Sequence, residues 1–121
     1  MLGRPLTKFY LINMIKCIAR RQDTRKERPI EEIKLEALVA DDNELCRNAV
    51  VGLLEKQIHK ITECENGKEA FEKLKTKHYD LAIIDYQMPE MNGIETIKKV
   101  REYERTHSVS KPTSILCIFY F

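Results

Sequence analysis

Three aspartates stand where a carboxylate can do chemistry. Asp85 ends the apolar run Leu81-Ala82-Ile83-Ile84 and is followed at once by Tyr86-Gln87-Met88-Pro89. Asp41 and Asp42 end a second apolar run, Leu35 to Ala40. A stiff, buried strand fixes the position of the group at its end. Three like charges brought within a few ångströms disfavour one another's ionised forms. They must share protons or be neutralised by a divalent cation. An all-oxygen pocket that keeps some water suits Mg2+. Magnesium beside a carboxylate suits phosphoryl chemistry, in which it shields and aligns the phosphate. An aspartate can then serve as nucleophile and form an aspartyl phosphate. The competing reading is that Asp41-Asp42-Asn43 only caps a helix, because acids are stabilising at a helix N-terminus.

The elements that must position these residues alternate from Lys34 onward. Leu35 to Ala40 reads as a first strand. Asn43 is a helix cap, and Leu45, Ala49, Leu53 and Leu54 recur at helical spacing up to about Lys56. Lys60 to Cys64 reads as a strand near a sheet edge, and Asn66-Gly67 as a turn into a helix marked by Ala70, Phe71 and Leu74. Tyr79 to Asp85 is nearly all apolar, as a strand covered on both faces should be. Met88 to Gly93 is loop. Ile94, Ile97 and Val100 begin a third helix that ends near Arg105, and Ile115 to Phe121 is a fourth strand. Four strands and three helices in alternation imply right-handed crossovers and a parallel sheet with helices on both faces. Sites in such sheets form beyond the carboxyl ends of the strands. If the first and third strands are neighbours, all three aspartates meet at that edge.

Leu38-Val39-Ala40-Asp41-Asp42-Asn43-Glu44-Leu45-Cys46-Arg47-Asn48, together with Leu81 to Glu95, resembles the receiver domain of two-component response regulators. The joint signal is an acidic pair after the first strand and D-x-x-M-P-x-M-[ND]-G after the third. Asn66-Gly67-Lys68-Glu69-Ala70 looks like that family's entry into its second helix. The resemblance covers Lys34 to about Cys117. It implies a flavodoxin-like doubly wound sheet with strand order 2-1-3-4-5. It implies Asp85 as phosphoacceptor and Asp41, Asp42, Asp85 and the Gln87 backbone carbonyl as Mg2+ ligands. Pro89 and Gly93 would shape the adjoining loop, while Met88 and Met91 pack. The implied phosphoryl donor is a phosphohistidine on a histidine kinase or histidine phosphotransfer protein. The chain would be a phosphoacceptor domain rather than an enzyme.

Measured against that family, the fifth strand and the last two helices are missing, so the expected architecture is an incomplete receiver. Aligning Pro112 with the start of the fourth strand puts Cys117 at the switch position, where the family uses Ser or Thr; a thiol is a weak hydrogen-bond donor. No residue matches the family's catalytic Lys, since Lys111 precedes the fourth strand. Ile115 to Phe121 carries no charge and is an expected aggregation site at an open edge. A non-catalytic pseudo-receiver or truncated isoform that only binds phosphorelay partners is the alternative reading. A phosphatase of the haloacid-dehalogenase kind fits less well, because those enzymes carry D-x-D and Asp85 precedes Tyr86-Gln87.

The chain has 121 residues and a net charge of +2, enough for one domain and no general case for nucleic acid. The charge is uneven. Residues 1–28 carry a net of about +6, leaving about −4 for the rest. Residues 1–33 therefore read as a basic extension, disordered or loosely helical, ahead of the domain at 34–121. Within it, Leu11, Ile12, Ile15, Ile18 and Ala19 share a helical face, so Phe9 to Arg20 could dock on the sheet in place of the family's final helix. The apolar stretch Phe9 to Ile15 is too short to span a membrane. The expected location is cytoplasmic, with the nucleus open; the basic extension partly resembles an organelle transit peptide but has no Ser. Cys17, Cys46, Cys64 and Cys117 form no metal pattern and read as buried reduced thiols. His59, His78 and His107 read as surface residues. No residue set for direct DNA binding is present.

Overall fold

A computed structural model of the chain describes residues 13–18 and 34–118. Beyond residues 13–18, the elements are β1 (Glu36–Ala40), α1 (Glu44–Leu54), β2 (Lys60–Cys64), α2 (Gly67–Thr76), β3 (Leu81–Asp85), α3 (Gly93–Thr106) and β4 (Ser114–Ile118). The strands form one parallel sheet in the order β2-β1-β3-β4. The expected flavodoxin-like sheet is thus the observed one over its first four strands. β1 and β3 are direct neighbours, with Ala40 level with Ile84. Asp41 and Asp85 therefore leave the sheet side by side.

Each helix starts just past the carboxyl end of a strand, and each is capped by asparagine. The side chains of Asn43, Asn66 and Asn92 accept from the backbone N–H groups of Cys46, Glu69 and Glu95. The short amide satisfies a donor that the first helical turn leaves orphaned. Asn66-Gly67 is accordingly a cap and a first helical residue rather than a free turn. In α3 the Glu95 side chain also accepts from the Asn92 N–H, completing a capping box.

Alternation along the strands divides the core in two. Ala37, Val39, Leu81 and Ile83 face Val50 and Leu54 of α1, and Leu116 and Ile118 join at the margin. Leu38, Ala40, Ala82 and Ile84 face Ala70, Met88, Leu74 and Ile97 on the other side. The inner stripe of α1 matches the expected one at Leu53 and Leu54 but not at its start. Leu45 is 80% exposed and Ala49 is also exposed. The most inward row is Arg47, Val50 and Leu54, at i, i+3 and i+7, and Val51 and Leu53 pack beside it against the same cluster. β2 and β4 are the two outer strands, and all five residues of β4 are half-buried.

Most of the basic extension lies outside the described residues, as do Phe119 to Phe121 and both ends of the Phe9 to Arg20 segment. Residues 13–18 are helical. Ile15 and Ile18 are 2% and 4% exposed and sit in the α1-side cluster with Leu35, Ala37, Val39 and Ile83. Met14 packs against the same cluster. Truncating a buried isoleucine to alanine costs roughly 2–5 kcal/mol when the neighbours relax only partly. Ile15→Ala and Ile18→Ala are each expected to destabilise residues 34–118 by about 2 kcal/mol or more, read as a lowered urea midpoint. Lys16→Ala, on the exposed side, is the control and should change little. Equal midpoints for all four proteins would mean that this helical stretch does not hold the domain.

Candidate functional site

The parallel register delivers Asp41, Asp42 and Asp85 to one sheet edge. One oxygen from each carboxylate lies within 4.8 Å of the others. Asp41 and Asp85 are buried, at 2% and 7% exposure, whereas Asp42 is exposed. The trio is thus covered by protein at Asp41 and Asp85 and open to solvent at Asp42. Burial, followed by the charge of Asp41, pushes the Asp85 carboxyl up to about 6. The Gln87 N–H, 3.4 Å from Asp85 Oδ1, works in the opposite direction. Two buried carboxylates and an exposed third, all oxygen donors, fit a hard divalent cation that keeps some of its waters.

Asp41 is held through its N–H, its carbonyl and one carboxylate oxygen. Its N–H donates to the Cys64 carbonyl at 3.1 Å, across to the end of β2. Its Oδ1 accepts from the Asn43 N–H at 2.9 Å. Its carbonyl accepts from Arg47 Nη1 at 2.7 Å. The same guanidinium donates through Nε to Glu63 Oε1 at 3.0 Å. Asp85 is held by its neighbours in turn. The Tyr86 N–H donates to the Ile118 carbonyl at 2.8 Å, and the Gly93 N–H donates to the Tyr86 carbonyl at 2.7 Å.

That last bond brings α3 against the end of β3. A Cβ at Gly93 would lie 2.5 Å from the Asp85 carbonyl oxygen, so no larger residue fits without moving the strand end. Pro89 is exposed, and its carbonyl accepts from the Met91 N–H at 2.7 Å across the loop. Glu90 between them has φ 71°, in the left-handed region. Met88 is buried and Met91 half-buried, so both pack.

Cys117 lies on β4 level with Ile84, one residue before the Asp85–Ile118 pair. Burial, and then the charge of Asp85, pushes its thiol up. Lys111 lies before β4, at the opposite edge from the carboxylates, where its carbonyl meets His78 Nε2 at 3.1 Å. His59, His78 and His107 are all exposed. Of the four cysteines only Cys64 is buried; Cys17 is exposed and the other two are intermediate. The expectation of four buried thiols was too broad, because Cys17 and Cys46 sit on outward parts of helical segments.

The sequence alone does not assign Cys46 or Arg47 to the site. Burial, and then the charges of Asp41, Asp85 and Asp42, push the Cys46 thiol up. Arg47 links the ends of β1 and β2. A signal for Arg47 existed. It is the single Lys or Arg of α1 and sits near the helix N-terminus, where the macrodipole disfavours a cation.

A profile of the response regulator receiver domain matches residues 37–115. Histidine kinase 2 of Arabidopsis thaliana is 40% identical over 89 residues, covering 71% of this chain; the chain spans 8% of that kinase's length. The receiver domain of the Arabidopsis thaliana histidine kinase CKI1, solved with Mg2+ and BeF3−, superposes with TM-score 0.63 at 27% identity, over 74% of this chain and 69% of that one. The receiver domain of Saccharomyces cerevisiae Ssk1, solved with the histidine phosphotransfer protein Ypd1, superposes with TM-score 0.65 at 26% identity, over 69% of this chain and 62% of that one. Among the described residues, no helix is long and apolar enough to cross a membrane. With the parallel sheet, the carboxylate trio at its edge and the matching profile in agreement, this chain belongs to the response regulator receiver domain family.

Proposed function

We propose that this chain is a phosphoacceptor of phosphorelay signalling, in which Asp85 takes a phosphoryl group from a phosphohistidine. The observation that carries this is the meeting of three carboxylates within 4.8 Å at the end of the rigid β1–β3 pair. Asp41, Asp42 and Asp85, with the Gln87 backbone carbonyl, would hold Mg2+. When bound, Mg2+ would neutralise the carboxylates and shield the charge of the incoming phosphoryl group. The remaining work belongs to the chain. Asp85, pushed up to about 6, is still largely ionised at neutral pH. An Asp85 carboxylate oxygen attacks phosphorus as the P–N bond breaks, and the bonding electrons return to the imidazole nitrogen of the donor. The product is an aspartyl phosphate. β3 fixes the nucleophile, and the Gly93–Tyr86 bond fixes the loop through which the donor approaches. Cys117 stands at the position that would follow the phosphoryl group.

The partner class is a histidine kinase or histidine phosphotransfer protein. Leu45 supports it. Among the described residues it is the one large hydrophobic side chain left exposed, and it lies on α1 only three positions after Asp42. An apolar contact there would bring a partner's histidine over the carboxylate edge. The expected place of action is the cytoplasm.

Incubation with a small-molecule phosphodonor and Mg2+ should add one phosphoryl group by intact mass. Asp85→Asn, or omission of Mg2+, should abolish the gain. Leu45→Asp should leave that reaction intact while slowing transfer from a phosphorylated histidine phosphotransfer protein at least tenfold. No mass gain from protein shown to be folded would favour a pseudo-receiver that only binds its partners.

The site electrostatics add a pH signature. The folded state raises the Asp85 carboxyl from its usual 3.8 to about 6. Folded protein therefore holds this proton more tightly than unfolded protein does. The associated stability is present below pH 4 and is lost as pH rises through 6. In metal-free protein, Asp85→Asn should raise the urea midpoint at pH 7.5 and have a smaller effect at pH 4.5. Saturating Mg2+ should reduce or reverse the pH 7.5 difference. A midpoint difference that is the same at both pH values would rule out this electrostatic cost.

A further inference from the structure

We infer that Arg47 is a positioning residue of the carboxylate site, setting the main chain from which Asp41 and Asp42 present their oxygens. The inference rests on the reading of that site as a Mg2+ site. Its grounds lie in how Arg47 is placed. The side chain is 11% exposed and turns toward the sheet in the inner row of α1, where Val50 and Leu54 pack. An arginine there must find partners for a planar, always charged fork. It finds one just past the end of β1 and one on β2. Nη1 donates to the Asp41 carbonyl at 2.7 Å, and Nε donates to Glu63 Oε1 at 3.0 Å.

Glu63 sits next to the end of β2, level with Val39 and one residue before Cys64. The Cys64 carbonyl accepts the Asp41 N–H. Arg47 thus closes a frame in which Asp41 is held from β2 through its N–H and from α1 through its carbonyl. The peptide between those two anchors carries the Asp41 side chain, and the next residue carries Asp42. The placement also has a cost. The helix N-terminus is the positive end of the α1 dipole, and a cation near a cation site opposes metal binding. A residue kept there solely for charge would have the wrong sign.

That sign separates positioning from a general electrostatic or folding role. Arg47→Met keeps a packed apolar stem and removes the fork and its charge. Coulomb attraction alone then predicts tighter Mg2+ binding. Loss of positioning predicts weaker binding, roughly tenfold by analogy with other residues that orient metal ligands. Arg47→Lys keeps the charge, but its compact ammonium does not reproduce the planar fork. It should weaken binding by about threefold, an estimate below the usual range for such residues.

The experiment is isothermal titration of Mg2+ into the full chain, unsubstituted, Arg47→Met and Arg47→Lys, with each protein's urea midpoint measured alongside. Weaker binding in both variants, with Mg2+ in excess restoring phosphorylation of Asp85, is the expected result. Unchanged or tighter Mg2+ binding by folded Arg47→Met overturns the inference. If Arg47→Met does not fold, Arg47→Lys decides by the same criterion, and an affinity equal to the unsubstituted chain overturns it. Failure of the unsubstituted chain to bind Mg2+ is a separate result, which overturns the site reading and this inference with it.

Discussion

The constraint on which the rest depends is that two buried carboxylates are held together. Asp41 and Asp85 leave neighbouring parallel strands at the same level, both nearly excluded from water. Ionised carboxylates in such a place repel each other and lose hydration. A chain relaxing freely would turn one of them outward. Here neither can turn. β1 and β3 are the two central strands, filled on both faces by Leu38, Val39, Ile83 and Ile84, and a rotation of either end would expose that core. The hydrophobic sheet therefore supports an unfavourable electrostatic arrangement, and the fold's stability is partly committed to keeping the site poised.

The surroundings work to the same end. α1, α2 and α3 each begin after the carboxyl end of a strand, so the positive ends of their dipoles lie at the sheet edge that carries the carboxylates. The asparagine caps occupy some of the first-turn donors without adding charge, which leaves the acidic trio to set the field. Acids in the first turn of α1, α2 and α3 are Glu44, Glu69 and Glu95. Glu69 and Glu95 are spent on the backbone N–H groups of Glu65 and Asn92, so they secure the local turns.

Much of this was legible in the sequence. The alternation of elements gave the sheet, and the apolar runs ending in Asp41 and Asp85 gave the site, because strand ends are where period-two burial stops and chemistry can begin. The resemblance supplied the strand order. What was not legible depended on angles around a helix. Leu45 and Ala49 share a face with Leu53 at ideal spacing, yet only Leu53 of the three packs against the core, and the first turn meets the sheet through Arg47 and Val50 instead. Sequence spacing defines the possible faces; only packing chooses among them. Arg47 escaped notice for a related reason. Its partners, a main-chain carbonyl and an edge-strand glutamate sixteen residues away, have no pattern in one dimension. The helical stretch at 13–18 was foreseen as an apolar face, but which surface it covers depends on strands far along the chain.

That distance has a kinetic side. Residues 13–18 precede every strand they cover, and their cluster reaches from Ile15 to Leu116 and Ile118 near the other end of the described chain. During synthesis this helical stretch is made before the strands it covers. β1 and β3 must both be made and paired before Ile15 and Ile18 have a complete platform, and the last margin arrives only with β4. Contacts so remote in sequence form late and slow folding. Until then the nascent chain presents a short apolar helix flanked by positive charge, the kind of segment to which chaperones and membrane surfaces have early access. The order in which the chain is written thus leaves this helical stretch uncovered until the strands it packs against have formed.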